Sequence, residues 1–314
     1  MTPAPGSVPT VTGPIRAEEL GWTLTHEHLS VDWPSAIGAE PVPDPTEDVI
    51  AKIAARLDRA VATGIRTFVD VGGCFGPSPD LLAAVAERTS MQIVASTGCL
   101  AVDMGPLPHW VYPPATPKSI AANLVDEACG GLGGSGIRPG IIKVGSSARA
   151  ISEVEERLFR GAALAQRETG LPITTHTTLT RQAMEQVDLL EEAGADLGRV
   201  VIGHLGWGTT PDDRELHRRL ADRGAFVGLD MVGLPACSVP DYARMAADLI
   251  EDGHAERILL SHDNCAHSRG LIEVYGEEWL TGDFTVVVER LLPALAELGV
   301  AGSAVDRILR ENPR

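Results

Sequence analysis

Short apolar, β-branched runs alternate with longer amphipathic stretches along nearly the whole chain. The runs cover residues 23–25, 67–71, 92–96, 140–144, 173–175, 200–202, 225–229 and 258–261. Their length and their Val, Ile and Thr content predict strands. Between them lie helical patterns. Residues 48–63 place Val49, Ile53, Leu57, Ala60 and Val61 close to a 3.6-residue period. Residues 151–169 open on Ser152 and Glu155, a capping box, and stop at Gly170 and Pro172. Segments 181–193, 211–223 and 241–252 end at Gly194, Gly224 and Gly253, as helices commonly do.

Eight strand runs separated by helical patterns predict an α/β fold, a (β/α)8 TIM barrel, with residues 14–314 as a single domain. Residues 1–13, rich in Pro, Thr, Gly and Ser, read as a flexible tail. An open doubly wound sheet would place a Gly-rich phosphate turn after its first strand. Here that strand ends in Thr25-His26-Glu27-His28. The Gly130–Gly136 run precedes a strand rather than opening a helix, and reads as a flexible connection.

Composition narrows the partners. The 314 residues are 44% apolar and 22% charged, with a net charge of −17. That surface repels nucleic acid and anionic membranes. No apolar run approaches the roughly 18 residues of a membrane span. The N-terminal stretch lacks the basic and apolar regions of a signal peptide. Five scattered cysteines form no disulfide framework and no CxxC pair. A cytoplasmic, reducing location is therefore expected. Lys52, Lys118 and Lys143 are the only lysines, so a lysine inside an apolar strand invites a chemical explanation.

Alternate side chains of a strand share a face, so His26 and His28 project together while Glu27 points away. Two imidazoles so placed can share a cation. His176 ends the fifth run, His204 the sixth, and Asp263 the eighth. In a barrel these positions converge at one rim, where catalytic residues collect. Imidazole with carboxylate suits Zn²⁺ and similar divalent ions. Lys143 sits in Gly-Ile-Ile-Lys-Val-Gly at the same rim. Burial favours its neutral amine, which can combine with CO₂ to give an anionic carbamate. The competing reading is a structural lysine paired with an acid. His217 and His254, within or at the end of helices, read as solvated, and His262 as structural or supporting.

The segments GWTLTHEHL (21–29), FVDVG (68–72), IVASTG (93–98), GIIKVG (140–145), ITTHT (173–177), RVVIGHLG (199–206), GLD (228–230) and ILLSHD (258–263) occur together in this order. In this combination the sequence resembles the phosphotriesterase-like family of the amidohydrolase superfamily. The resemblance implies a barrel with two divalent metals, Zn most readily and Mn, Co or Fe as alternatives. His26, His28 and Asp263 would hold the more buried metal, and His176 and His204 the more exposed one. N6-carboxylated Lys143 and a hydroxide would bridge them, and the assembly would be a homodimer.

Departures from the family pattern bear on the substrate. Trp207 stands where relatives commonly have an acid, Met231 where they have His or Arg, and Leu100 where many have Tyr or Trp. A proton relay outward from Asp263 through positions 207 and 231 cannot operate in that form. With His267 and Arg269, these residues are the candidate substrate pocket. Other candidate lining residues are Trp33, Phe75, Asp103, Met104, His109, Trp110, Tyr112, Tyr275 and Trp279. The expected activity is hydrolysis of a neutral lactone or other carboxylic ester by a metal-bridging hydroxide, with Asp263 as catalytic base. Phosphotriesters and N-acyl amides are the alternative substrates, and a ligand-binding barrel without turnover is the alternative class. Gly-x-Ser-x-Gly is absent, which weakens a serine-hydrolase reading.

Overall fold

The computed structural model describes residues 6–32, 46–208, 213–270, 276 and 283–314. Its strands are β1 (Ser7–Val8), β2 (Ile15–Arg16), β3 (Trp22–Asp32), β4 (Ile65–Asp70), β5 (Gln92–Val94), β6 (Ser96–Gly98), β7 (Ile141–Gly145), β8 (Ile173–His176), β9 (Val200–Ile202), β10 (Phe226–Leu229), β11 (Ile258–Leu260) and β12 (Cys265–Arg269). The longer helices are α1 (Glu47–Ala62), α2 (Pro79–Ala86), α3 (Pro117–Gly130), α4 (Glu153–Thr169), α5 (Ala183–Glu192), α6 (Asp213–Asp222) and α7 (Val239–Glu251).

Apart from the β1–β2 hairpin, the pairings among the described residues are parallel, in the orders β12-β3-β4-β5 and β6 through β11. Strands β5 and β6 are one run interrupted at Ala95, which joins the two ladders. Strand β11 leads through residues 261–264 into β12, which pairs with β3 and closes the ring. The chain is thus the expected (β/α)8 barrel. Ser152 caps α4 by accepting from Glu155 N, in the capping box read from the sequence. The helix then packs Leu158, Phe159, Ala162 and Ala163 into one cluster with Ile142, Val144 and Ile173.

Three details differ from the sequence reading. The first strand continues to Asp32, so His26 and His28 lie within it; β12, absent from the expected pattern, extends its ladder. The N-terminal segment is structured from Ser7: β1 pairs with β2, and Val11 N donates to Ile93 O at 2.8 Å. Ser7–Pro9 and Asn312–Arg314 help line a 440 Å³ cavity that Thr23, Thr25, Val69 and Val94 also line. Residues 1–5 lie outside the described part.

The third difference is His217, expected in solvent but 1% exposed on α6. Burial pushes its pKa down to about 4, against the smaller opposing pull of Asp213 and the Leu205 backbone. The unfolded chain, with a histidine near 6.5, binds more protons than the folded one between those values. This contribution is therefore complete well above pH 6.5 and is lost as pH falls towards 4. Between pH 7 and pH 5 it should remove about 2 kcal/mol of stability. Urea titrations at both pH values should show a correspondingly smaller loss in His217→Leu. An unchanged difference would contradict the account.

Candidate metal centre

Alternation along β3 places His26 and His28 on one face and Glu27 on the other. The Glu27 carboxylate is fully buried and accepts four hydrogen bonds. Ser261 Oγ donates at 2.8 Å, His262 N at 2.8 Å, His262 Nδ1 at 2.6 Å and Asn264 N at 3.0 Å. His262 Nε2 in turn accepts from Val287 N at 2.9 Å, so this histidine is structural, as expected. The clamp seats the turn in which Asp263 adopts φ 52°, a left-handed conformation that non-glycine residues seldom take. Asp263 N donates to His26 O at 3.1 Å, and His28 N to Asn264 O at 2.9 Å.

The predicted donors meet at the barrel mouth. Asp263 Oδ1 lies 3.0 Å from His28 Nε2 and 3.6 Å from His26 Nε2. Lys143 Nζ is 2.8 Å from His26 Nε2 and is fully buried. His204 Nε2 is 2.8 Å from His176 Nδ1. Two strands, β3 and β7, and the ends of β8, β9 and β11 therefore bring all six predicted side chains together.

Asp230, which ends the Gly-Leu-Asp run after β10, is a functional residue the sequence reading did not assign. Its Oδ1 accepts from His204 N at 2.8 Å and lies 3.0 Å from His204 Nδ1. Its Oδ2 lies 2.8 Å from His26 Nδ1. One buried carboxylate thus holds the Nδ1 side of two histidines and turns their Nε2 atoms towards the cluster. The available signal was an acid directly after an apolar strand. Gly203 makes room for this arrangement. A Cβ there would stand 2.4 Å from Thr175 O and 2.9 Å from Asp230 Oδ2.

Electrostatics favour the lone pair over the proton at His26 and His176 but not at His204. Burial, with the nearby Lys143 charge, pushes the His26 imidazole down to about 4. Burial and His204 hold His176 well below its ordinary value. At His204 burial opposes the cation, but Asp263 and Asp230 outweigh it and raise the pKa. Burial lowers Lys143 to about 8 against the pull of Asp263, Asp230 and Asp70. Burial also works against the Asp230 and Asp263 anions, yet the surrounding imidazoles hold both carboxyls well below the usual range.

The donor chemistry fits divalent metal. Ligand atoms of His26, His28 and Asp263 lie within 4.8 Å of one another, and so do those of His26, His204 and Asp230. Imidazole nitrogen with carboxylate oxygen is the set that Zn²⁺, Mn²⁺, Co²⁺ and Fe²⁺ take. Asp230, turned towards two Nδ1 atoms, orients ligands in this arrangement. The other oxygen of Asp263, Oδ2, lies 3.8 Å from His204 Nδ1, and the side chain is 18% exposed at the mouth.

The candidate pocket residues divide. The Trp207 ring stands edge-on to both His176 and His204, at 6.4 Å from each ring. Leu100 is buried beside Gly145, where a Cβ would also touch His176, and Met231 is 3% exposed directly after Asp230. His267 lies on β12 opposite Ser30 and is part-buried. Arg269 pairs through its backbone with Asp32, and its side chain lies outside the described residues. Trp33, Tyr275 and Trp279 also lie outside them. His254 Nε2 sits 3.4 Å from Asp222, away from the cluster.

Comparison with known proteins agrees with this arrangement. A model of the phosphotriesterase family matches residues 6–314. A phosphotriesterase homology protein of Mycobacterium tuberculosis is 31% identical over 97% of this chain and 95% of its own. An aryldialkylphosphatase of Saccharolobus solfataricus is 29% identical over 96% of each chain. An N-acetyltaurine hydrolase of Xenopus tropicalis is 27% identical over 100% of this chain and 98% of its own. Among solved structures, a weak promiscuous lactonase template engineered for organophosphate hydrolysis superposes with a TM-score of 0.89. It is 32% identical and is covered over 98% of both chains. Among the described residues no helix is long and apolar enough to cross a membrane.

Proposed function

Since the chain belongs to the phosphotriesterase family, whose hydrolases act on small ester or phosphotriester substrates, we propose that it is a binuclear metal hydrolase of neutral lactones or other carboxylic esters. The convergence of His26, His28, Lys143, His176, His204 and Asp263 at one barrel mouth carries this reading. His26, His28 and Asp263 would hold one cation, and His176 and His204 the other. Lys143, as its N6-carboxylate, would join them. Two divalent ions held by these residues, Zn²⁺ foremost, would supply a water nucleophile at neutral pH and polarise the scissile carbonyl.

The chain's own residues divide the remaining work. The Lys143 amine, once neutral, adds to CO₂ and gives up one proton to become the anionic ligand. Asp230 keeps the His26 and His204 rings turned towards the centre. Asp263 Oδ2 takes the proton from the attacking water. Because Trp207 and Met231 carry no ionisable group, that proton leaves directly to solvent at the exposed edge of Asp263. The Trp207, Leu100 and Met231 side chains favour a substrate selected by shape and desolvation, and the lactonase template among similar structures points the same way.

Profiling the zinc-loaded enzyme against lactones, aryl esters, N-acyl amides and aryl phosphotriesters tests the assignment. The expected kcat/KM for the best lactone or ester exceeds that for any phosphotriester by about 100-fold or more, some 3 kcal/mol of transition-state preference. A phosphotriester or N-acyl amide hydrolysed best would replace this substrate class. Trp207→Asp should raise KM with metal content unchanged. A higher kcat at unchanged KM would instead show that the missing acid limits turnover.

A further inference from the structure

Cys74 and Cys99 take no part in the metal centre, yet the fold presses their loops together. The chain after β4 makes a tight turn, with Phe75 N donating to Gly72 O at 3.1 Å and Gly76 N to Gly73 O at 3.0 Å. Gly73 N donates to Ser96 Oγ at 3.0 Å, which fixes this turn against β6. Gly73 has φ +53°, and a Cβ there would stand 2.8 Å from Gly98 O and 3.5 Å from Cys99 N. Only glycine permits so close an approach. As a result the segment carrying Cys74 lies against the one carrying Cys99, and the two thiols act on each other's ionisation. Cys74 is exposed and Cys99 fully buried. A 240 Å³ cavity borders Cys74 and is lined by Asp70, Trp110 and Glu127.

We propose that Cys74 and Cys99 are a reactive dithiol that a small disulfide, preferentially a cationic one, converts into an intramolecular disulfide. In the first exchange the Cys74 sulfur attacks the reagent. The reagent's S–S bond breaks, a Cys74 mixed disulfide forms, and one reagent thiol leaves with the Cys74 proton. Cys99 then attacks the Cys74 sulfur, passes its own proton to the second reagent thiol and expels it. Two protein thiols are oxidised and one reagent disulfide is reduced. The bond formed brings the two sulfurs to about 2.05 Å.

Cys74 is the first to react because it is the accessible sulfur. The Cys99 S–H and the N–H groups of Leu100 and Cys74 hold its thiol below the ordinary value, against the opposing effect of burial. A lower thiol pKa raises the thiolate fraction near neutral pH. The charge preference follows from the Glu127 carboxyl lining the cavity and from the chain's net charge of −17.

The test treats the intact protein with cystamine or with the anionic 3,3′-dithiodipropionate, quenches with an alkylating agent and maps peptides by mass spectrometry. Cystamine should give linked Cys74 and Cys99 peptides, two hydrogens lighter and free of adduct. It should react at Cys74 about tenfold faster than at Cys129 or Cys237 and faster than the anionic reagent. Cys99→Ser should retain one cysteamine on Cys74, whereas Cys74→Ser should leave Cys99 unmodified. A wild-type adduct on Cys74 as lasting as that of Cys99→Ser would overturn the pair. Equal reaction at all partly exposed cysteines would overturn the site, and equal rates for both reagents would overturn the charge preference.

Discussion

Lys143→Ala is expected to leave a folded barrel that holds at most one divalent ion, where the wild type loaded with Zn²⁺ and bicarbonate holds two. Turnover of the best ester should fall by about 100- to 1,000-fold, on the scale of losing a group that stabilises developing charge. The wild-type amine is fully buried and 2.8 Å from His26 Nε2, within reach of donors from β3 and from the carboxylates opposite. Its removal deletes the side chain that would become the bridging carbamate, while the histidine pairs remain. Acetate should restore part of the metal and part of the activity by supplying a small carboxylate in its place. Elemental analysis is the deciding measurement. One ion in the wild type, unchanged in the variant, would exclude a lysine-derived bridge.

Asp263→Asn should reduce turnover by at least about 100-fold, the lower end of what a positioned general base contributes. The replacement keeps the shape but removes the anion that faces His26, His28 and His204. Two losses then coincide: a weaker ligand beside His28 and no acceptor for the water proton at Oδ2. Metal content measured alongside kcat separates them. Full occupancy with slow turnover would isolate the proton role, and near-wild-type turnover with full occupancy would remove Asp263 from the mechanism.

Much of this arrangement was legible because each ligand lies within or just after an apolar run. The period-two alternation of β3 paired His26 with His28 and turned Glu27 away, and the structure keeps both features. The rim positions of Lys143, His176, His204 and Asp263 followed from the strand-and-helix order alone. Side-chain contacts between distant segments were not legible. Nothing local to Glu27 announces that it accepts from Ser261, His262 and Asn264, more than 230 positions away. The role of Asp230 depends on two imidazoles reaching it from β3 and from the end of β9. β12 escaped because its sequence, Cys-Ala-His-Ser-Arg, lacks the β-branched run that marks a strand; it is extended because β3 continues beside it. His217 was misplaced because helical position does not reveal which face another element covers.

The contact between Asp263 and His28 spans 235 positions of sequence. During synthesis the chain therefore carries its first two histidines from the outset but lacks their carboxylate partner until its final sixth has emerged. The intervening strands and helices can form in order, yet the long-range closure comes last. Cation capture is consequently a property of the finished polypeptide. A nascent chain that stops short of Asp263 lacks the carboxylate that faces His26 and His28, and metal supplied before release of the C-terminal region has no complete site to occupy.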